Sequence, residues 1–139
     1  TSNRDSLFQA EARRCKDILD FVRAPSSKGE LHLCGFDELY SGTNPEEAAE
    51  SATAFIKYLS KFRHVSSILT THYTDVCTAL DSNERVDNYC MRVEEAATAE
   101  KGRAKGGLKY TYKLKKGISE TKGGMTVLRD MNYPVEISG

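Results

Sequence analysis

Leu31-His32-Leu33-Cys34-Gly35-Phe36 runs straight into Asp37-Glu38, and then into Ser41-Gly42-Thr43-Asn44-Pro45. A run this short, apolar on both faces apart from His32, is too brief for a helix and suits a strand in the middle of a parallel sheet. The two carboxylates then stand where that strand leaves the sheet. Asn44-Pro45-Glu46-Glu47 has the ingredients of a helix start: a capping side chain, Pro at the first position, and acids in the first turn, where the helix dipole favours them. The helix is expected to run to about Lys61, with Ala49, Ala52, Ile56 and Leu59 inward. Val65 to Thr71 is a second short apolar run. Strand, helix, strand makes a right-handed βαβ unit, which places both strand ends on the same edge of the sheet.

The flanks extend this core. From Leu7 to Val22, the residues Leu7, Phe8, Cys15, Ile18, Leu19 and Val22 fall largely on one helical face, with Ser6 or Asp5 as N-cap. Pro25-Ser26-Ser27-Lys28-Gly29 then ends the helix in a loop. Downstream, Leu108, Tyr110, Tyr112 and Leu114 alternate with Lys109, Thr111 and Lys113, and "VDNYCMRVEE" alternates in the same way, so the two segments predict an antiparallel hairpin. Ala96 to Gly107 between them is polar and Gly-rich, as a mobile surface loop would be. A short helix is expected around Met125, Val127, Leu128 and Met131, stopped before Pro134.

Charge and cysteine usage narrow the function classes. Twenty Lys and Arg balance twenty Asp and Glu over 139 residues, so the chain as a whole is no obvious polyanion binder. The distribution is uneven: residues 37 to 50 hold five acids and no base, whereas residues 101 to 122 hold eight bases against Glu120 alone. For the basic segment a solvated surface is the simpler expectation. Cys15, Cys34, Cys77 and Cys90 are far apart and form no CxxC pair, which suits free thiols in a reducing, intracellular compartment. No apolar run approaches the roughly 20 residues of a membrane span, so a soluble protein without membrane contact is expected. The sequence opens on Thr1 without Met, and a longer parent chain is expected.

In open α/β sheets, ligands bind beyond the carboxyl ends of the parallel strands. Asp37 and Glu38 leave one such end and Thr70-Thr71-His72-Tyr73 leaves the next, so two carboxylates and His72 are expected at one crevice. Paired acids at a strand end suit phosphate chemistry: one serves a magnesium ion, the other orients or deprotonates an attacking water, and a histidine opposite stabilises the terminal phosphate. Taken singly, each piece has a plainer reading, an apolar strand entering a solvated turn and a histidine that is only a polar residue at a strand end. The βαβ geometry brings the pieces together.

At this point a resemblance appears. "FDELYSGTN", a helix and then "ILTTHYTDV" resemble the C-terminal ATPase region of the MutS DNA mismatch-repair family, with its DE-x-x-x-GT block, apolar strand and THY triplet. "DSLFQAE" resembles that family's Ser-x-Phe-x-x-Glu signature segment, and "YTYKLKKGISETKGGMTVLRDMNYP" its late strand and G-[VI]-S-x-x-x-G helix start. The resemblance implies an α/β fold, the C-terminal lobe of a P-loop NTPase of ABC type, with a parallel βαβ core and an antiparallel hairpin at the edge, the whole of 1–139 being one partial domain. It implies ATP and Mg2+ as cofactors. Asp37 would be the Walker B aspartate serving magnesium and Glu38 the acid polarising the hydrolytic water. His72 would be the switch histidine near the γ-phosphate. Tyr40 to Asn44, with Ser41, Gly42 and Thr43 at its centre, would form the loop facing the partner subunit. Ser6 would donate to the γ-phosphate of nucleotide held by that subunit, itself a copy or a paralogue. Double-stranded, mismatched DNA would be bound by domains outside this chain.

The sequence departs from the family pattern in three places: Leu39-Tyr40 follows the acids where a basic or small residue is usual, Asp5 stands where Gly precedes the signature Ser, and Pro25 to Gly29 lengthens the link to the strand. The Walker A motif G-x-x-x-x-G-K-[ST], whose backbone N–H groups and Lys hold the phosphates, does not occur in these residues. It is expected before Thr1, so the isolated segment should bind ATP poorly or not at all. Two alternatives remain open: an SMC-like or transporter-like ABC ATPase, for which an LSGGQ-type signature would be expected, and a non-catalytic dimerisation module of the same fold.

Overall fold

The computed structural model describes residues 3–95, 108–120 and 123–138, and the chain divides into two compact units, Thr1–Asp87 and Asn88–Gly139. The first contains α1 (Asn3–Arg23), a 3-10 turn (Pro25–Ser27), β1 (His32–Asp37), α2 (Pro45–Leu59), β2 (Val65–Thr70) and α3 (Thr74–Leu80). The second contains β3 (Tyr89–Glu95), β4 (Leu108–Lys116), α4 (Gly123–Asp130) and α5 (Val135–Ser138).

The expected βαβ unit is present. β1 and β2 pair in parallel, in a register that sets His32 opposite Val65 and Asp37 opposite Thr70. Between them, α2 starts as its sequence dictates: the Asn44 side chain accepts the Glu47 N–H at 2.9 Å, Pro45 opens the first turn, and the Thr43 hydroxyl donates to the Glu47 carboxylate at 3.1 Å. Ala49, Ala52, Ile56 and Leu59 are buried, joined by Ala48 and Phe55. Phe36 of β1 meets Phe55 edge-on, ring centroids 5.3 Å apart.

One expectation about β1 needs correction. Its register partners show that Leu33, Gly35 and Asp37 share a face with Ser66, Ile68 and Thr70, and that face is exposed, with Leu33 at 73% and Ile68 at 63%. Only the other face, His32, Cys34, Phe36, Val65 and Leu69, is half-buried towards the core. A two-stranded sheet with its packing helices on one side cannot cover both faces, so among the described residues β1 is not a doubly covered central strand.

α1 begins by Asn3, earlier than Leu7, and therefore carries Asp5 and Ser6 within its first turns rather than as caps. Nothing in Asn3-Arg4-Asp5-Ser6 breaks a helix. The packed stripe is Phe8, Ala12, Cys15, Ile18, Leu19 and Val22, whereas Leu7 is exposed. The lengthened Pro25–Gly29 link has a structural role. Ser27 is buried, its Oγ lies 2.8 Å from the Val22 carbonyl and 2.9 Å from the Ala24 carbonyl, and His64 Nε2 also reaches the Val22 carbonyl at 3.0 Å. These contacts fasten the end of α1 to the start of β2. α3 was not foreseen, because TDVCTAL lacks a capping side chain; Val76 and Leu80, one turn apart, bury it against the core.

In the second unit, β3 and β4 form the expected antiparallel hairpin, with Met91 opposite Leu114 and Val93 opposite Tyr110. Arg92 alone therefore faces Thr111, Tyr112 and Lys113, a bulge sealed by the Thr111 hydroxyl donating to the Arg92 carbonyl at 2.7 Å. Tyr112, at φ 56°, leaves the alternation expected of it. Ala96 to Gly107 lies outside the described residues. α4 ends in a Schellman turn: Asn132 takes the left-handed conformation at φ 60°, its N–H donates to the Arg129 carbonyl at 3.0 Å, and the Tyr133 N–H donates to that of Leu128 at 3.0 Å. Pro134 follows, and the short α5 after it was not anticipated.

Candidate active site at the carboxyl ends of the parallel strands

Asp37 is the last residue of β1 and Thr70 the last of β2, and their register makes them direct neighbours on the open face. The Thr70 hydroxyl donates to Asp37 Oδ1 at 2.7 Å, which fixes the carboxylate and leaves its other oxygen unengaged by that contact. The Glu38 N–H donates to the Thr70 carbonyl at 2.9 Å, extending the ladder by one residue.

The backbone then turns in a way that few side chains accept. Glu38 and Tyr40 have φ of 59° and 60°, the left-handed region, each costing about 1–2 kcal/mol for a residue with a Cβ. Leu39 and Tyr40 offset this by burying their side chains, Tyr40 at 7% exposure, each such burial stabilising by about 1.5–3 kcal/mol. The apolar pair Leu39-Tyr40 is thus the anchor of the turn. Burial pushes the Tyr40 phenol well above its ordinary value of 10.0, helped by its hydrogen bond to Cys15, and burial likewise raises the Cys15 thiol.

His72 arrives from the next strand end. In Thr71-His72-Tyr73, the Thr71 hydroxyl accepts the Tyr73 N–H at 3.0 Å and Tyr73 packs on the core, so the histidine between them is turned outward. His72 Nε2 lies 2.9 Å from Glu38 Oε1, with the imidazole 90% exposed. The contact is an ion pair when the ring is protonated and a hydrogen bond when a neutral ring carries the proton on Nε2. An exposed pair of this kind contributes only about 0–1 kcal/mol to stability. Of the three residues expected at one crevice, Glu38 and His72 meet, whereas the Asp37 carboxylate is held by Thr70 at the same strand ends and the three do not close into one cluster.

The remaining predicted residues are placed as follows. Ser41 is exposed, Gly42 and Thr43 half-buried, on the turn between Glu38 and α2 in which the Thr43 N–H donates to the Tyr40 carbonyl at 3.4 Å. Ser6 lies in the first turns of α1, and its side chain is outside what the structure describes. Residue-by-residue reading of the sequence missed Thr70 as the partner of Asp37 and, although Glu11 is the Glu of the Ser-x-Phe-x-x-Glu segment, its contact with the turn, where its Oε1 accepts the Tyr40 N–H at 2.9 Å. The parallel register was the signal for Thr70; no local pattern marks a contact between residues 29 apart.

No group of three or more His, Cys, Asp or Glu able to hold a metal ion occurs among the described residues. A single strand-end carboxylate still suits magnesium, which keeps its waters and takes one or two carboxylates together with substrate phosphates. The surface here is open; a depression of about 390 Å3 lies elsewhere, lined by Lys57, Ser60, Lys61, Asn83, Glu84 and Arg85. Arg85 there donates to the Ser60 and Lys61 carbonyls at 3.2 and 2.9 Å, just beyond the C-terminal end of α2, which gives that arginine a structural task.

Residues 2–138 match the family MutS domain V. The chain is 35% identical over 132 residues to the Endonuclease MutS2 of Fusobacterium nucleatum subsp. nucleatum, covering 95% of this chain and 15% of that protein. It is 28% identical to the Endonuclease MutS2 of Thermus thermophilus, over 95% of this chain and 16% of the relative. With the DNA mismatch repair protein MutS of Staphylococcus saprophyticus subsp. saprophyticus it shares 26% identity, over 96% and 14%. The chain thus spans about one-seventh of the length of these relatives.

Proposed function

This chain belongs to the MutS family through that family's domain V, and from this premise we propose that it forms the carboxylate-bearing side of an ATP-hydrolysing site. The observation that carries the reading is the meeting of Glu38 and His72, 2.9 Å apart, beyond two parallel strands that also present Asp37. The whole of 1–139 then belongs to one ABC-type ATPase domain, whose phosphate-cradling Walker A segment lies outside these residues.

Each residue has a task in this reading. Asp37, oriented by the Thr70 hydroxyl, serves the magnesium ion that accompanies ATP. That ion supplies neutralisation of the phosphate oxygens when bound. Glu38 accepts a hydrogen bond from the attacking water and takes its proton as the water oxygen bonds to the γ-phosphorus and the bond from that phosphorus to the bridging oxygen breaks, releasing ADP and inorganic phosphate. His72 holds the Glu38 carboxylate in the resting site, and its exposed ring can instead donate Nε2–H to a terminal phosphate oxygen. Ser41, Gly42 and Thr43 face the partner subunit, a second copy or a paralogue, and Ser6 donates to the γ-phosphate of that subunit's nucleotide. Double-stranded DNA, mismatched or otherwise, is met by other domains, and the protein works inside the cell.

Glu38→Gln in the full-length protein is the test. Turnover falling by about 100-fold or more with ATP still bound supports the assignment; unchanged turnover refutes it. A wild type that neither binds nor hydrolyses ATP makes this chain a dimerisation module instead.

A further inference from the structure

Three residues of α1 grip one residue of the catalytic turn. Phe8 meets the Tyr40 ring at a centroid distance of 5.4 Å, Glu11 accepts the Tyr40 backbone N–H at 2.9 Å, and the buried Cys15 thiol interacts with the Tyr40 side chain. These residues are spaced by three and four along the helix and so lie on one face. Their target is buried, strained at φ 60°, and two residues from Glu38, itself strained at φ 59°. On its other side Glu38 is tied to β2 through the Thr70 carbonyl. The carboxylate segment is therefore clamped between the end of β2 and the middle of α1. Of the three contacts on Tyr40, only the Glu11 carboxylate holds the backbone.

We propose that Glu11 is a positioning residue for turnover: by holding the Tyr40 amide it keeps Glu38 in the left-handed conformation that sets its carboxylate, and it makes α1 and the catalytic turn move as one piece. The proposal rests on the hydrolytic role given to Glu38. Without Glu11, a half-buried N–H loses its acceptor and the turn is released to relax both positive φ angles, carrying Glu38 away from His72. A displacement of about 1 Å at a reacting group can cost about 100-fold in rate.

The test uses the full-length protein with its partner subunit, comparing wild type, Glu11→Ala, Glu11→Gln and Glu38→Gln for ATP turnover and for the ATP dissociation constant. Glu11→Ala should lower kcat by about 10- to 100-fold with the dissociation constant within about twofold of wild type. Glu11→Gln retains an oxygen able to accept the Tyr40 N–H and should restore kcat to within about threefold. A general structural role predicts no such rescue and no separation of kcat from binding. Should Glu11→Ala fail to fold, Glu11→Asp, one methylene shorter, carries the same comparison. Wild-type kcat in Glu11→Ala, or Glu11→Gln as slow as Glu11→Ala, overturns the proposal. Glu38→Gln inactive beside a normal Glu11→Ala overturns it while leaving the hydrolytic reading intact, and a wild type without turnover overturns both.

Discussion

Thr70 and Tyr40 show how little chemistry is visible one residue at a time. Thr70 looks like one more β-branched strand residue, yet its hydroxyl, 2.7 Å from Asp37 Oδ1, is the described contact that orients that carboxylate. Thr70→Val is expected to raise the magnesium concentration needed for half-maximal turnover by about 10- to 100-fold, as loss of outer contacts to a metal ligand does. Thr70→Ser should behave as wild type, and a magnesium titration of all three proteins checks this. Tyr40 carries a pH prediction. Burial, first, and the Cys15 contact hold its phenol neutral above the ordinary 10.0, and burial holds the Cys15 thiol neutral above 9.0. Unfolding releases both to ionise, so their contribution to stability is intact below pH 9.0 and is lost as pH rises past 9.0 and then 10.0. Tyr40→Phe removes the phenol from this balance and should move the alkaline unfolding transition, followed by circular dichroism, to higher pH; a transition at unchanged pH would show that the phenol plays no part.

At the level of elements, α2 was the most legible because its start is written in side-chain chemistry. Asn44, Pro45, Glu46 and Glu47 each supply one part of a helix start, and the structure uses all four. Asn44→Ala should cost about 1 kcal/mol locally, read as roughly fivefold less hydrogen-exchange protection in α2; undiminished protection would contradict the capping role. The parallel β1–β2 pair was also legible, since two short apolar runs around an amphipathic helix admit few other arrangements. α3 was not, for its only large apolar residues are Val76 and Leu80 and its polar residues suit a turn equally well. The bulge at Tyr112 was invisible because strict alternation along β4 gives no hint that Arg92 faces three residues. The Glu11 contact was invisible for a different reason: it is fixed by how α1 packs, not by any periodicity.

At the scale of the whole molecule, a site legible in the sequence lies within a MutS domain V. Strand geometry leads Asp37, Glu38 and His72 to be expected together; Glu38 and His72 are in contact, Asp37 stands at the same strand ends against Thr70, and the sheet that carries them has one face open, with Leu33 and Ile68 exposed. Residues 2–138 of this chain match MutS domain V, and the chain aligns with relatives about seven times its length. A site of this kind, with carboxylates and histidine but no phosphate cradle among these residues, is expected to be inert alone and active in the full-length chain. The decisive measurement is therefore ATP retention and Mg2+-dependent ADP formation by full-length Glu38→Gln beside wild type. Glu38→Gln that holds ATP and forms almost no ADP, beside a wild type that turns over, is the predicted result; ADP formed by the variant at the wild-type rate would contradict it.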